Sequence, residues 1–363
     1  MTPEEVLELV RAGGLLPVEP DGRPILAMLS GGRDSVCLLD LAVRICGAEN
    51  VHALHVNYGL RPEADEEERH CREFCERLGI ALEVVWAERP AAAGNLQAWA
   101  RDLRYGAALR LARELDLRLG DERQAGERQR SVDPSRETLI ATGHTATDQI
   151  ETILYRIAAS PGRRALLGMS PREGRLVRPL LELTREQTAS YCRARGLSWR
   201  EDASNDDERY ARARVRNRLL PALDAIHPAA RENVLRTARL LREEAVVLDA
   251  LVDAELERDS ATLGGSRHGR GGEPSVGRCE VAGGAPSVAI ERLRDLPPVL
   301  ARLVVVRLAE EAAGTYVPQA GARVDEILAL ADRGGRAEVH VGALVGAVIE
   351  NGRLRMVRLP PRF

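Results

Sequence analysis

The chain has 363 residues, 44% of them hydrophobic and 29% charged, with a net charge of −3; this length exceeds what one core usually holds, so two domains are expected. No apolar run approaches the roughly 18 residues of a membrane span, and the near-neutral charge does not itself mark a nucleic-acid binder. All 52 basic residues are arginine, which excludes a lysyl-adenylate or Schiff-base intermediate on this protein.

At the N-terminus, Thr2, Pro3 and Glu5 have the pattern of a helix start with a capping box, and the segment does not read as a signal peptide. Ile25-Leu26-Ala27-Met28-Leu29 predicts a buried strand and Val36-Cys37-Leu38-Leu39-Asp40-Leu41 a helix. Between them lies the glycine-rich turn Ser30-Gly31-Gly32-Arg33-Asp34-Ser35. Small residues let the backbone approach an anion, and the N–H groups and dipole of a helix start favour phosphate. The turn lacks the spacing and lysine of a Walker A loop, and it does not match G-x-G-x-x-G.

Strand and helix then alternate. Val51–Val56 is a strand, 62–78 a helix, Ala81–Trp86 a strand, 95–115 a long helix and Thr138–Thr142 a strand, followed by a helix from Ala146. Right-handed crossovers between such strands give an α/β fold with a doubly wound, Rossmann-like parallel sheet. Its ligands bind at the carboxyl ends of the strands, where the glycine turn, Asn57-Tyr58-Gly59 and Gly143-His144 fall. Residues 118–136 have no apolar period and read as a mobile surface insertion.

From Leu180 the pattern is helical, with Thr184 and Gln187 as a capping box and Gly196 as the stop. Helices over 221–254 resemble a bridge, the Gly- and Ser-rich stretch 259–288 reads as flexible, and a small α/β tail follows. Asn351-Gly352 between apolar alternations predicts a two-residue hairpin. The expected organisation is a catalytic domain at 1–220, a helical linker at 221–258 and a smaller C-terminal α/β domain at 259–363.

Asp148 and Glu151 share a helical face near the predicted phosphates, where they suit Mg²⁺ or an ammonium group; helix capping explains the same acids. His144 reads either as a neutral hydrogen-bonded side chain or as a catalyst. Arginines crowd 193–218, at 193, 195, 200, 209, 212, 214, 216 and 218, as a solvated face or as a phosphate footprint. The every-second spacing of Arg212, Arg214, Arg216 and Arg218 predicts an extended or loop segment. The six cysteines, at 37, 46, 71, 75, 192 and 279, keep no disulfide rhythm, which favours a reducing cytoplasm. Cys71 and Cys75, with His70, have no second ligand pair to complete a metal site.

The turn Ser30–Ser35 resembles the PP-loop of ATP pyrophosphatases, which split ATP between its α and β phosphates. Taken with His144-Thr145-Ala146-Thr147-Asp148-Gln149-Ile150-Glu151-Thr152, His55–Arg61, Ala100–Tyr105, Arg178–Leu181, Glu201–Asn205 and Arg214–Pro221, the chain resembles the tRNA(Ile)-lysidine synthetases over about residues 24–221. Thr145 and Thr147 stand where that family often has histidine and aspartate. The resemblance implies ATP contacts from Ser30, Gly31, Gly32, Arg33, Asp34, Ser35, Asn57, Arg101 and His144. It implies catalytic roles for Asp34, Asp148 and Glu151, tRNA contacts from Arg104, Arg212, Arg214, Arg216 and Arg218, and Mg²⁺ on Asp34 and Asp148.

The implied reaction is a ligation in the cytoplasm with ATP and Mg²⁺ as cofactors. ATP adenylates O2 of the wobble cytidine in a tRNA(Ile) with a CAU anticodon, and free L-lysine displaces AMP at C2. No membrane partner is implied, and a homodimer stays open. A PP-loop tRNA sulfurtransferase would be expected to carry C-x-x-C, which is absent. A non-catalytic nucleotide-binding regulator would keep the cradle without needing Asp148, Glu151 and the arginine series.

Overall fold

β1 (Ile25–Met28) is buried along its whole length, as a central strand covered on both faces must be. It pairs in parallel with β2 (Val51–Asn57) on one side and with β4 (Leu139–Ala141) on the other. The computed structural model describes residues 1–18, 23–59, 64–87, 96–124, 137–159, 163–201, 208–263 and 285–360. In chain order, α1 (Pro3–Ala12) precedes β1, and α2 (Arg33–Cys46) follows it; α3 (Ala64–Leu78) leads to β3 (Ala81–Trp86), and α4 (Leu96–Gln124) to β4. After β4 come α5 (Ala146–Ala159), α6 (Arg163–Leu166), two short strands, β5 (Arg172–Glu173) and β6 (Leu176–Val177), and α7 (Arg185–Ala194).

The six strands form one sheet in the order β3-β2-β1-β4-β6-β5. All pairs are parallel except β5 with β6. The winding reverses between β1 and β4, and doubly wound sheets open a ligand crevice at such a switch point. The core between α1, α2, α3, α7 and the sheet includes Leu38, Leu41, Phe74 and Tyr191, each at most 1% exposed.

Polar contacts, buried at Asp40 and Tyr191 and exposed at Glu4, tie three of these helices together. Tyr191 on α7 donates its hydroxyl to Asp40 on α2 at 2.5 Å, and Arg195 adds two contacts to the same carboxylate at 3.3 Å. Arg44 on α2 donates to the Tyr191 hydroxyl at 3.2 Å and pairs with Glu4 on α1 at 2.7 Å. Burial and the Asp40 contact push the Tyr191 phenol well above its ordinary range.

Both capping boxes form as the sequence predicts, Thr2 with Glu5 and Thr184 with Gln187. Helix α4 runs beyond its expected end at 115 to Gln124, so the first seven residues of the predicted insertion are helical; 125–136 lie outside the described residues. The arginine series is not extended. It folds as α8 (Ala211–Arg214), a π-turn over Val215–Leu219 and α9 (Leu220–Ile226). Pro221 has no N–H to bond the carbonyl four residues back, and its ring crowds that carbonyl, so the ladder is disturbed just before it.

The chain divides into two compact units, Met1–Ala238 and Arg239–Phe363, within α10 (Ala230–Leu263). The second unit contains β7 (Ser287–Ala289), α11 (Ile290–Asp295), α12 (Pro298–Ala313), α13 (Val324–Asp332), β8 (Ala337–Gly342), β9 (Val345–Glu350) and β10 (Arg353–Arg358). Its antiparallel sheet has the order β7-β10-β9-β8, and the predicted Asn351-Gly352 turn joins β9 to β10. The stretch read as flexible is helical to Leu263 and becomes strand at Ser287; 264–284 lie outside the described residues.

Gly31, at φ +79°, has a backbone that L side chains rarely adopt, and a Cβ there would sit 3.3 Å from Cys71 Sγ. Gly31→Ala is expected to cost about 1–2 kcal/mol in urea unfolding; a wild-type midpoint would show that this turn is not under the constraint described.

Candidate active site

The glycine turn is closed by its own serines. Ser35 Oγ donates to the Gly32 carbonyl at 2.8 Å, accepts from the Ser30 N–H at 3.2 Å and lies 3.1 Å from Ser30 Oγ. Gly32 caps α2 with extended backbone and offers no side-chain acceptor to the first-turn N–H groups, which leaves that helix start suited to an anion. A second turn presses against it. A Cβ on Gly143 would lie 3.0 Å from the carbonyl carbon and oxygen of Asp34 and 3.1 Å from the Ser35 nitrogen. The β4–α5 turn therefore meets the β1–α2 turn backbone to backbone.

These turns border a cleft of about 860 Å³ within the first unit. Ser30, Gly32, Arg33, Asp34, Ser35, His144, Asp148, Arg104 and Arg216 line it, as do Tyr58, Tyr105, Trp199 and Arg185. Gly31 is buried and does not line it. Asn57 and Arg101 are not among the lining residues. Asn57 donates to Glu68 at 3.0 Å and accepts the Gly59 N–H at 2.9 Å, so its side chain shapes the β2–α3 turn. Arg101 is exposed, with its guanidinium 4.7 Å from the centroid of the Tyr105 ring.

Beside the turn is an ionic cluster. Asp34 accepts from Thr188 Oγ1 at 2.5 Å and lies 3.2 Å from Arg33 Nε. Glu151, whose side chain is 2% exposed, is gripped by Arg216 through Nε at 2.6 Å and Nη2 at 3.0 Å. Arg185 joins the carboxylates: its Nη2 is 2.8 Å from Asp148, its Nη1 3.7 Å from Glu151 and its Nε 3.8 Å from Asp34. Burial opposes charge on Asp148, but Arg185 and the Thr145 N–H and hydroxyl hold its pKa below the ordinary carboxylate value. Burial is also the main cause at His144, whose pKa falls from 6.5 to about 4, assisted by Arg178, Arg104 and Arg212 against Asp148. Its Nδ1 shares a hydrogen bond of 2.8 Å with Thr142 Oγ1, so the ring is neutral at ordinary pH.

The arginine series divides. Arg216 turns into the cleft, whereas Arg212, Arg214 and Arg218 are exposed. Arg214 donates to the Glu208 and Arg209 carbonyls, and Arg218 pairs with the Glu208 carboxylate. Arg185 and Thr188 were not singled out from the sequence. The available signal was a cation at the first position of a capped helix, where the dipole disfavours it.

Asp34 and Asp148 present hard oxygen donors to the cleft. Among the described residues no group of three or more His, Cys, Asp or Glu could enclose a metal ion. That set fits Mg²⁺, which is usually held by one or two carboxylates with the rest of its shell from phosphates and water.

The model of the PP-loop domain matches residues 7–119 and 129–223. A tRNA(Ile)-lysidine synthase of Salinispora arenicola is 35% identical over 74% of this chain and 74% of its own. One from Pseudomonas syringae pv. tomato is 36% identical over 64% of this chain and 49% of its own. The chain thus spans about half the length of several of these relatives. A U34-tRNA thiolase of Methanococcus maripaludis, with its 4Fe–4S cluster, has a TM-score of 0.50 at 18% identity, covering 66% of this chain and 78% of that one, which is a likeness of fold. The chain belongs to the PP-loop family, whose members use ATP, and within it to the tRNA(Ile)-lysidine synthases. Among the described residues no helix is long and apolar enough to cross a membrane.

The depressed pKa of His144 sets a pH dependence. The unfolded chain takes up a proton near 6.5 and the folded one near 4, so stability is present above 6.5 and falls as pH drops through that window. NMR titration should find the His144 ring neutral until near pH 4. His144→Gln should flatten the acid limb of stability, in part only, because burial lowers His52, His55 and His70 too. A ring titrating near 6.5 would refute this account.

Proposed function

We propose that this chain ligates L-lysine to C2 of the wobble cytidine of a tRNA(Ile) with a CAU anticodon, at the expense of ATP. The observation that carries this reading is the meeting, at one cleft, of an anion-ready helix start with Asp34, Asp148 and their arginines, with Glu151 buried beside them. Cytosine O2 attacks the α-phosphorus and pyrophosphate leaves. The lysine amine then attacks C2, the C2–O2 bond breaks with the oxygen departing on AMP, and the ammonium proton is lost.

In this reading the first-turn N–H groups of α2 hold the phosphates, with Ser30, Gly31, Gly32, Arg33 and Ser35 shaping the cradle, and Arg216 meets negative charge that develops at phosphorus. Asp34 and Asp148 would hold Mg²⁺, which supplies charge neutralisation at the phosphates. Asp148 is the acid that the cleft presents to a substrate ammonium, while Glu151, buried and bonded to Arg216, adds negative charge from behind it. The neutral His144 leaves the cleft without a further fixed cation. Arg104 and the exposed Arg212, Arg214 and Arg218 suit an RNA backbone, and an anticodon base can be splayed into the cleft from a single-stranded loop. The corresponding organisation is a catalytic 1–220, a helical linker 221–258 and a tRNA-contacting 259–363.

The sulfurtransferase alternative is not favoured. Cys37, Cys46, Cys71, Cys75 and Cys192 are buried thiols outside any disulfide, and burial pushes the Cys71 and Cys75 thiols up to about 12, the wrong direction for thiolate ligands or sulfide carriers.

Steady-state pyrophosphate release should require both the cognate tRNA and lysine, and Asp34→Ala should abolish it in a protein that still melts cooperatively. Release without tRNA or lysine would leave a plain ATPase, and normal release by Asp34→Ala would remove that residue from the site.

Replacing Arg212 and Arg218 by Gln should weaken tRNA binding and flatten its salt slope by up to about 0.7–0.9 per lost phosphate contact, with ATP affinity little changed. Arg216→Gln should do the reverse. Filter binding across a salt series, paired with ATP titration, distinguishes the two groups; the opposite partition would exchange their roles.

A further inference from the structure

Arg185 occupies the first position of α7, where the helix dipole disfavours a cation. What holds it there is acidic, since Asp148, Glu151 and Asp34 all lie within 3.8 Å of its guanidinium. Its use of them is uneven. Nη2 bonds Asp148 at 2.8 Å, but Nε is buried without a hydrogen-bond partner. Charge, more than hydrogen bonding, fixes this side chain. With Arg33 beside Asp34 and Arg216 on Glu151, every carboxylate of the cluster already faces a guanidinium.

Asp34 and Asp148 are also the two residues that fit Mg²⁺. A divalent ion and a guanidinium at the same carboxylates would repel strongly at such separations, so the two compete for these acids. We infer that Arg185 is the resident cation of the cluster and that a divalent ion enters by exchange with it. A polyphosphate arriving with the ion gives the displaced guanidinium a new bidentate partner. The ion therefore binds poorly without nucleotide, and ion and nucleotide favour each other's binding reciprocally.

This rests on the reading of the cleft as a metal–nucleotide site and uses neither lysine nor tRNA. The test is Mn²⁺ titration of the nucleotide-free full chain, with free ion read by electron paramagnetic resonance. Arg185→Gln should bind Mn²⁺ at least about tenfold more tightly than wild type. Arg113→Gln, which removes the same charge from an exposed position on α4, should not. An α,β-methylene analogue of ATP should tighten Mn²⁺ binding in wild type more than in Arg185→Gln.

Equal Mn²⁺ affinity in wild type and Arg185→Gln overturns the inference, and so does a wild type that binds Mn²⁺ as tightly without the analogue as with it. If Arg185→Gln melts early, Mn²⁺ should restore its melting temperature by more than it raises that of wild type, and no such recovery counts against the exchange. Arg185→Lys keeps a charge without the fork and should keep nucleotide-free Mn²⁺ binding weak. Failure of these outcomes leaves the ligase reading intact; that reading falls on lysine-independent or tRNA-independent pyrophosphate release.

Discussion

The site depends on two chain turns meeting where the sheet reverses its winding. The β1–α2 and β4–α5 turns come so close that Gly143 has no room for a Cβ against the Asp34 backbone. This contact sets the start of α2 beside the start of α5, so Asp34 and Asp148 are brought to one cleft from more than a hundred residues apart. In the proposed reading these helix starts attract both a substrate's phosphates and the protein's own acids. The arginines make the second attraction compatible with the first.

A cluster of three partly or fully buried carboxylates is costly unless matched by opposite charge. In a chain without lysine, guanidinium is the only fixed side-chain cation available for that role. Its planar fork matches carboxylate geometry, so Arg216 takes Glu151 by two bonds and Arg185 spans three acids at once. Phosphate is the other natural partner of such forks, so the groups that neutralise the cluster are also chemically equipped to bind a phosphate.

Much of this was legible in the sequence because it is local. Capping boxes at Thr2 and Thr184, the apolar strand before Ser30, the glycine turn and the Asn351-Gly352 hairpin each follow from neighbouring residues, and each formed. What escaped depends on distant partners. Asn57 stands at the end of a central strand, as a ligand contact would, yet Glu68 claims its side chain. Arg185 gains its importance from acids 34 to 151 residues along the chain. The arginine series read as extended by its period of two, but Pro221 forces a π-turn, and the wider turn gives every-second arginines unequal directions. Of the insertion predicted from 118, the first residues simply continue α4, because a polar helix leaves no apolar period to read.

The Asp40–Tyr191–Arg44–Glu4 contacts have a mechanical meaning for the cleft. They bolt α7, with Arg185 and Thr188, to α2, with Asp34, and both to α1. Arg216 reaches Glu151 of the acidic cluster from a π-turn, a backbone form found mostly as a single turn at functional sites. The walls of the cleft are thus held in different ways, α2 and α7 by cross-bracing side chains and the π-turn by the grip of Arg216 on Glu151. The same bracing fixes the position of Asp34 at the start of α2, because Thr188 on the braced α7 donates to its carboxylate at 2.5 Å.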